Sequence, residues 1–155
     1  MHDVLSHSLA ACLPAGRQAA KLLKENFGKS LISFSLKHDN SLVTRVDSES
    51  QELLMSYLKK QFPSVPFVAE KQDSRVKASV NKDGYYFVID PLGGTAAFVS
   101  SIPFFYVSVA LCRGPGTLAG VLVDRNHGEE FTAVAGRSAF LNGSRIAVTK
   151  RSKME

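Results

Sequence analysis

The chain has 155 residues, 45% of them hydrophobic and 21% charged, which is enough for one domain with its own core. That balance excludes a disordered, collagen-like or low-complexity protein. Nineteen Lys and Arg against fourteen Asp and Glu give a net charge of +5, a bias towards anionic partners that does not choose between phosphate esters and nucleic acid.

Leu5, Leu9, Cys12 and Leu13, then Ala19, Ala20, Leu22, Leu23 and Phe27, recur at helical spacing. Pro14 predicts either a kink or a new helix start, and Gly28 a stop. Ser33–Leu36 alternates like a strand, residues 37–41 read as a turn, and Leu42–Thr44 is extended again. A second helix is predicted with Ser48 as N-cap and Gln51 three residues on, and Pro63 and Pro66 end it.

Strand signals dominate after that: Val65–Ala69, Tyr85–Ile89 ending at Asp90, Phe104–Cys112, Leu118–Asp124 and Phe131–Ala135. Asn142-Gly143 between Ala139–Leu141 and Ile146–Val148 is a hairpin signal. The polar stretch 71–83 reads as a mobile surface loop. Two helices followed by hairpin-connected strands give an α+β fold, the helices packed on a mainly antiparallel sheet. A Rossmann pattern does not fit, because no helix-length segment separates the later strands.

Cys12 and Cys112 lie in apolar contexts and read as buried thiols in a reducing compartment. No secretory signal opens the chain, and no apolar run approaches the ~18 residues that span a membrane. A soluble, cytoplasmic protein without a membrane partner is expected. His127 falls in a turn and reads as solvated. Phe104, Phe105 and Tyr106 read as core and sheet-face residues rather than a base-stacking platform.

The segment Val88-Ile89-Asp90-Pro91-Leu92-Gly93-Gly94-Thr95 carries the chemistry. A strand fixes the Asp90 carboxylate at a sheet edge, and paired glycines let backbone N–H groups approach an anion. A helix starting near Thr95 would add a favourable dipole. An ordinary turn is the competing reading. Asp47, before the second helix, and Glu70, ending a short strand, could converge on this point. Carboxylates and a carbonyl suit a hard cation such as Mg²⁺. Taken alone, Asp47 is a residue favoured by the helix dipole and Glu70 a solvated acid.

VIDPLGGTAAF resembles the signature of the inositol monophosphatase family, in which Asp-Pro-Leu/Ile-Asp-Gly-Thr follows an apolar strand. Ser41–Asp47, Phe67–Lys71, Ile102–Val109 and Gly136–Gly143 are similar to further family elements, from about residue 15 to the C-terminus. Lys37–Ser41 also resembles the bisphosphate nucleotidase branch, so a 3'(2'),5'-bisphosphate nucleotidase is the alternative within the superfamily. The resemblance implies one domain over residues 1–155: the N-terminal half of the lithium-sensitive, Mg²⁺-dependent sugar-phosphatase fold, with the C-terminal α/β half absent. It implies that Glu70, Asp90 and the Leu92 carbonyl hold Mg²⁺. Asp47 and Thr95 would orient the attacking water, and the Gly94 and Thr95 N–H groups would hold phosphate oxygens. The substrate would be an inositol or sugar phosphate, and homodimer formation stays open.

Gly93 departs from the family, standing where a second Asp ligates a second metal. The Trp-Asp element, whose Asp is another ligand of that metal, is missing; the chain has no tryptophan. Lys71 replaces an acid beside Glu70 and should weaken cation binding. Impaired hydrolysis is therefore expected, with a non-catalytic remnant or interaction protein as the alternative. Bacterial members associate with the transcription machinery, so a nucleic-acid role is permitted, although no RNA-binding motif supports it. Restoring a carboxylate at position 93 is expected to strengthen cation binding by itself.

Overall fold

The computed structural model describes residues 2–29, 34–36, 42–69 and 84–149. The first apolar stripe becomes one helix, α1 (His2–Asn26), which runs unbroken through Pro14. It stops where Gly28 takes φ 74°, as a residue without Cβ allows. Two short strands, β1 (Phe34–Leu36) and β2 (Leu42–Thr44), pair antiparallel and lead into α2 (Arg45–Gln61).

The α2 start corrects the sequence expectation. Thr44, not Ser48, is the N-cap, and Asp47, not Gln51, closes the capping box. Two cap patterns overlap here, and the earlier one wins for a physical reason. Thr44 ends a strand in extended conformation, so its hydroxyl can accept from the Asp47 N–H while the carboxylate reaches back. Ser48 is left exposed one turn into the helix.

The main sheet has seven strands in sequential order: β3 (Phe67–Ala69), β4 (Tyr85–Gly93), β5 (Tyr106–Arg113), β6 (Gly116–Asp124), β7 (Glu129–Val134), β8 (Ala139–Leu141) and β9 (Ser144–Ile146). Every neighbouring pair is antiparallel except β3 with β4, which run parallel. The Asn142-Gly143 turn appears as expected, with φ 49° and 79°, and β9 resumes at once at Ser144. A five-residue helix, α3 (Thr95–Val99), follows β4.

Both long helices pack on one face of the sheet, α1 over β5 and β6 and α2 over β4. Alternate strand residues, Phe87 and Ile89, Val107 and Val109, Val121 and Val123, meet Ala15, Ala19, Leu23, Leu54 and Leu58 in the core between the layers. Arg17 of α1 clamps Glu130 of β7 through two hydrogen bonds of 2.7 and 2.6 Å. The opposite face carries Ser108, Leu122 and Phe131 in one row and Ala110, Gly120 and Ala133 in the next. It forms an open groove of about 570 Å³. No described helix is long and apolar enough to cross a membrane.

Candidate active site

Strand β4 delivers the signature segment to one end of the sheet, where α2 begins. The Asp47 side chain is buried to 3% exposure. Its Oδ2 accepts from the Thr44 N–H at 2.8 Å and the Thr44 hydroxyl at 2.7 Å. These bonds compensate for burying a carboxylate. Its Oδ1 faces Thr95, whose hydroxyl lies 3.4 Å away and 3.0 Å from the Leu92 carbonyl oxygen. Two residues 48 apart in sequence are thus brought together at the helix start.

The turn itself is held from three sides. Ser50, fully buried on α2, donates to the Pro91 carbonyl at 2.6 Å. Asp90 Oδ1 accepts from the Leu92 N–H at 3.3 Å, which keeps the carboxylate beside its own turn. Phe98 of α3 is buried against Phe27 and Phe105, with ring centroids 5.8 and 4.8 Å away. That aromatic anchor fixes the short helix following Thr95.

The two glycines are required for different reasons. Gly94 is the N-cap of α3 at φ 85°, and a methyl group there would overlap the Phe104 carbonyl oxygen. Gly93 has no positive φ. A methyl group there would overlap Tyr106 Cε2 and lie 2.5 Å from Tyr106 Cζ and 2.9 Å from Asp90 Oδ2. Space, not backbone conformation, opposes a side chain at 93, since the Tyr106 ring would have to shift. An acid introduced there would have to displace the Tyr106 ring.

Of the candidate site residues, Asp47, Asp90, Leu92, Gly93, Gly94 and Thr95 converge at this strand end. Glu70, Lys71, the loop 71–83, the turn 37–41 and the basic tail 150–153 lie outside the described residues. Among the described residues no three His, Cys, Asp or Glu side chains gather as a metal site. The donors that are present near Asp90, a carboxylate and the Leu92 carbonyl, are hard oxygens suited to a hard cation. Position 93 offers no side-chain donor, and the Tyr106 ring lies where one would enter.

Sequence reasoning missed Thr44, Ser50 and Tyr106. Thr44 was visible as a Thr-x-x-Asp pattern. Tyr106 stands opposite Gly93 only because the β4–β5 register shifts between Asp90 and Gly93, which no local pattern shows. His127 is exposed in its turn as expected, with its Nδ1 2.6 Å from Asp124 Oδ2 and its ring 5.5 Å from that of Phe104. Phe105 is core as expected, whereas Phe104 is 71% exposed.

A helical layer on a mainly antiparallel sheet, with an acidic strand end running into a glycine turn and a threonine-led helix, defines an α+β protein of the sugar-phosphatase type. The chain belongs to the inositol monophosphatase family, whose family model matches residues 5–155. It is 35% identical over 149 residues to Nus factor SuhB of Pseudomonas aeruginosa, covering 95% of this chain and 54% of that protein. It is 30% identical over 152 residues to an inositol monophosphatase of Mesembryanthemum crystallinum, covering 97% and 55%. The crystal structure of the extragenic suppressor protein SuhB of Bartonella henselae superposes with a TM-score of 0.84 at 29% identity, covering 96% of this chain and 57% of that one. The chain thus spans about half the length of the relatives it matches.

Proposed function

We propose that this chain carries the phosphate-handling end of a Mg²⁺-dependent phosphomonoesterase, able to bind an inositol or sugar phosphate but impaired in hydrolysing it. The observation that carries the reading is the Asp47–Thr95 pair, placed beside the Asp90-to-Gly94 turn in a member of this family. Asp90 and the Leu92 carbonyl, with Glu70, would hold one divalent cation. Such a cation, when bound, lowers the pKa of a water and offsets charge on phosphate. The Asp47 carboxylate and Thr95 hydroxyl are the groups that would orient the water, Asp47 taking its proton through Oδ1. The Gly94 and Thr95 backbone N–H groups would hold phosphate oxygens, as successive N–H groups of a turn can.

Impairment follows from Gly93. Removing one strong electrostatic group from such a centre costs roughly 10²–10³ in rate. The test is calorimetric titration with Mn²⁺ in the presence of inorganic phosphate. One weak site, lost in Asp90→Asn, is expected. Two tight sites in the unmodified chain would contradict the reading.

A second reading rests on the 35% identity to a protein named a Nus factor, together with the net charge of +5. It places the chain with the transcription machinery rather than with a phosphate ester. Binding to RNA that weakens steeply with added salt, without any response to Mn²⁺ or phosphate, would favour it.

A further inference from the structure

We infer that Tyr106 is a specificity-determining residue of the Asp90 site: its ring holds the volume that any side chain at position 93 would enter, and so limits the site to one divalent cation. The inference rests on the cation-binding reading of Asp90 given above.

The two glycines supply the argument by contrast. Gly94 is demanded by its φ of 85° and by the backbone of Phe104, so no side-chain change elsewhere could relieve it. Gly93 sits at the end of β4 without a positive φ, in a backbone that any residue can adopt. The atoms nearest to a side chain there belong to the aromatic ring of Tyr106, followed by the Asp90 carboxylate toward which that side chain would point. A carboxylate at 93 would therefore be directed to the side of Asp90, where two acidic oxygens could share or add a cation. Tyr106 stands in that path.

The ring does not belong to the core. Tyr106 is 37% exposed, whereas its neighbours Phe105 and Val107 are buried on the helix side of the sheet. The register shift between Asp90 and Gly93 pairs Gly93 directly with Tyr106 across β4 and β5. An aromatic residue lying over a strand glycine is a recognised way to cover exposed backbone. Here the same ring lies next to the carboxylate of the site, so covering the glycine also decides how many anionic oxygens the site can offer. The two residues act as a unit: the Tyr106 ring takes the place that a Cβ at position 93 would need.

Three variants of the 155-residue chain test this, Gly93→Asp, Tyr106→Ala and the double variant, each followed by thermal melting and Mn²⁺ titration. Gly93→Asp alone is expected to melt roughly 3–10 °C lower than the parent, the effect of overpacking in a chain this size, and to gain no cation. Tyr106→Ala alone is expected to keep the parent's cation stoichiometry. The double variant is expected to melt above Gly93→Asp and to bind Mn²⁺ at least roughly tenfold tighter than Tyr106→Ala, the smallest change seen even for groups that only orient a metal ligand. A merely structural glycine cover would move the melting temperatures but not the Mn²⁺ affinity. Gly93→Asp gaining a cation with Tyr106 in place, or a double variant that binds Mn²⁺ no tighter than Tyr106→Ala, would overturn the inference. Neither result coincides with the failure of the underlying reading, which is a parent whose Mn²⁺ titration is unchanged by Asp90→Asn.

Discussion

Thr44 and Asp47 close a capping box whose carboxylate takes two hydrogen bonds from Thr44 and turns its other oxygen to Thr95. One residue thus starts a helix and faces the candidate site. Thr44→Ala removes the cap and one of the two donors to a buried carboxylate. It should cost about 0.5–2 kcal/mol in a urea melt, with Thr44→Ser recovering most of the loss. An unchanged melt would show that Asp47 is held by other contacts. Cys12 offers a second test at this scale. Burial pushes its thiol up to about 12, so almost no thiolate exists near neutral pH. Iodoacetamide should leave Cys12 unmodified in the folded protein at mildly alkaline pH and label it once the chain is denatured. Peptide mass mapping reads the difference.

Elements with a local signature were legible. Asn142-Gly143 announces its hairpin because left-handed φ values at both turn residues favour that pair. The apolar runs 85–89 and 104–112 announce strands whose core faces hold Phe87, Ile89, Val107 and Val109, although the second strand starts only at Tyr106. The α2 start was misplaced by one turn because Thr44-x-x-Asp47 and Ser48-x-x-Gln51 compete, and only the tertiary contact of Asp47 with Thr95 shows which pattern faces inward. The parallel β3–β4 pair and the Gly93–Tyr106 pairing were not legible, since each depends on register across distant segments. Two contacts tie elements together measurably. Phe98 fastens α3 to Phe27 and Phe105, so Phe98→Ala should cost about 3–5 kcal/mol. Arg17 holds the Glu130 carboxyl below its ordinary value through their hydrogen bonds, joining α1 to β7. Because the folded value is depressed, the stabilisation is present above the unfolded value and is lost as pH falls through the folded one. Solvent screens this half-exposed pair, so Glu130→Gln should cost about 0.2–1 kcal/mol at neutral pH. Stability curves of parent and variant should converge in acid; a gap that persists there would point to packing rather than charge.

The whole molecule places its two helices on one face of the sheet and leaves the groove of about 570 Å³ on the other, lined by Leu122, Phe131 and alanines. Ile102 and Phe104, 51% and 71% exposed, add apolar surface near the candidate site. Exposed apolar surface of this kind is where a second copy would pack. Concentration-dependent self-association is expected at roughly tens of micromolar, the range where exposed apolar surface drives contact. A single monomer species in sedimentation velocity at that concentration would contradict it. The same arrangement brings Asp47, Asp90, Gly94 and Thr95 to one sheet end while Tyr106 closes position 93, which is why substrate-handling geometry and impaired turnover are proposed together. Phosphate release from inositol monophosphate by the unmodified chain, at millimolar Mg²⁺ with lithium as inhibitor control, tests that claim most directly. Release no faster than that of Asp90→Asn is expected. Lithium-sensitive release clearly above that variant would contradict it, showing that the centre works without a carboxylate at position 93.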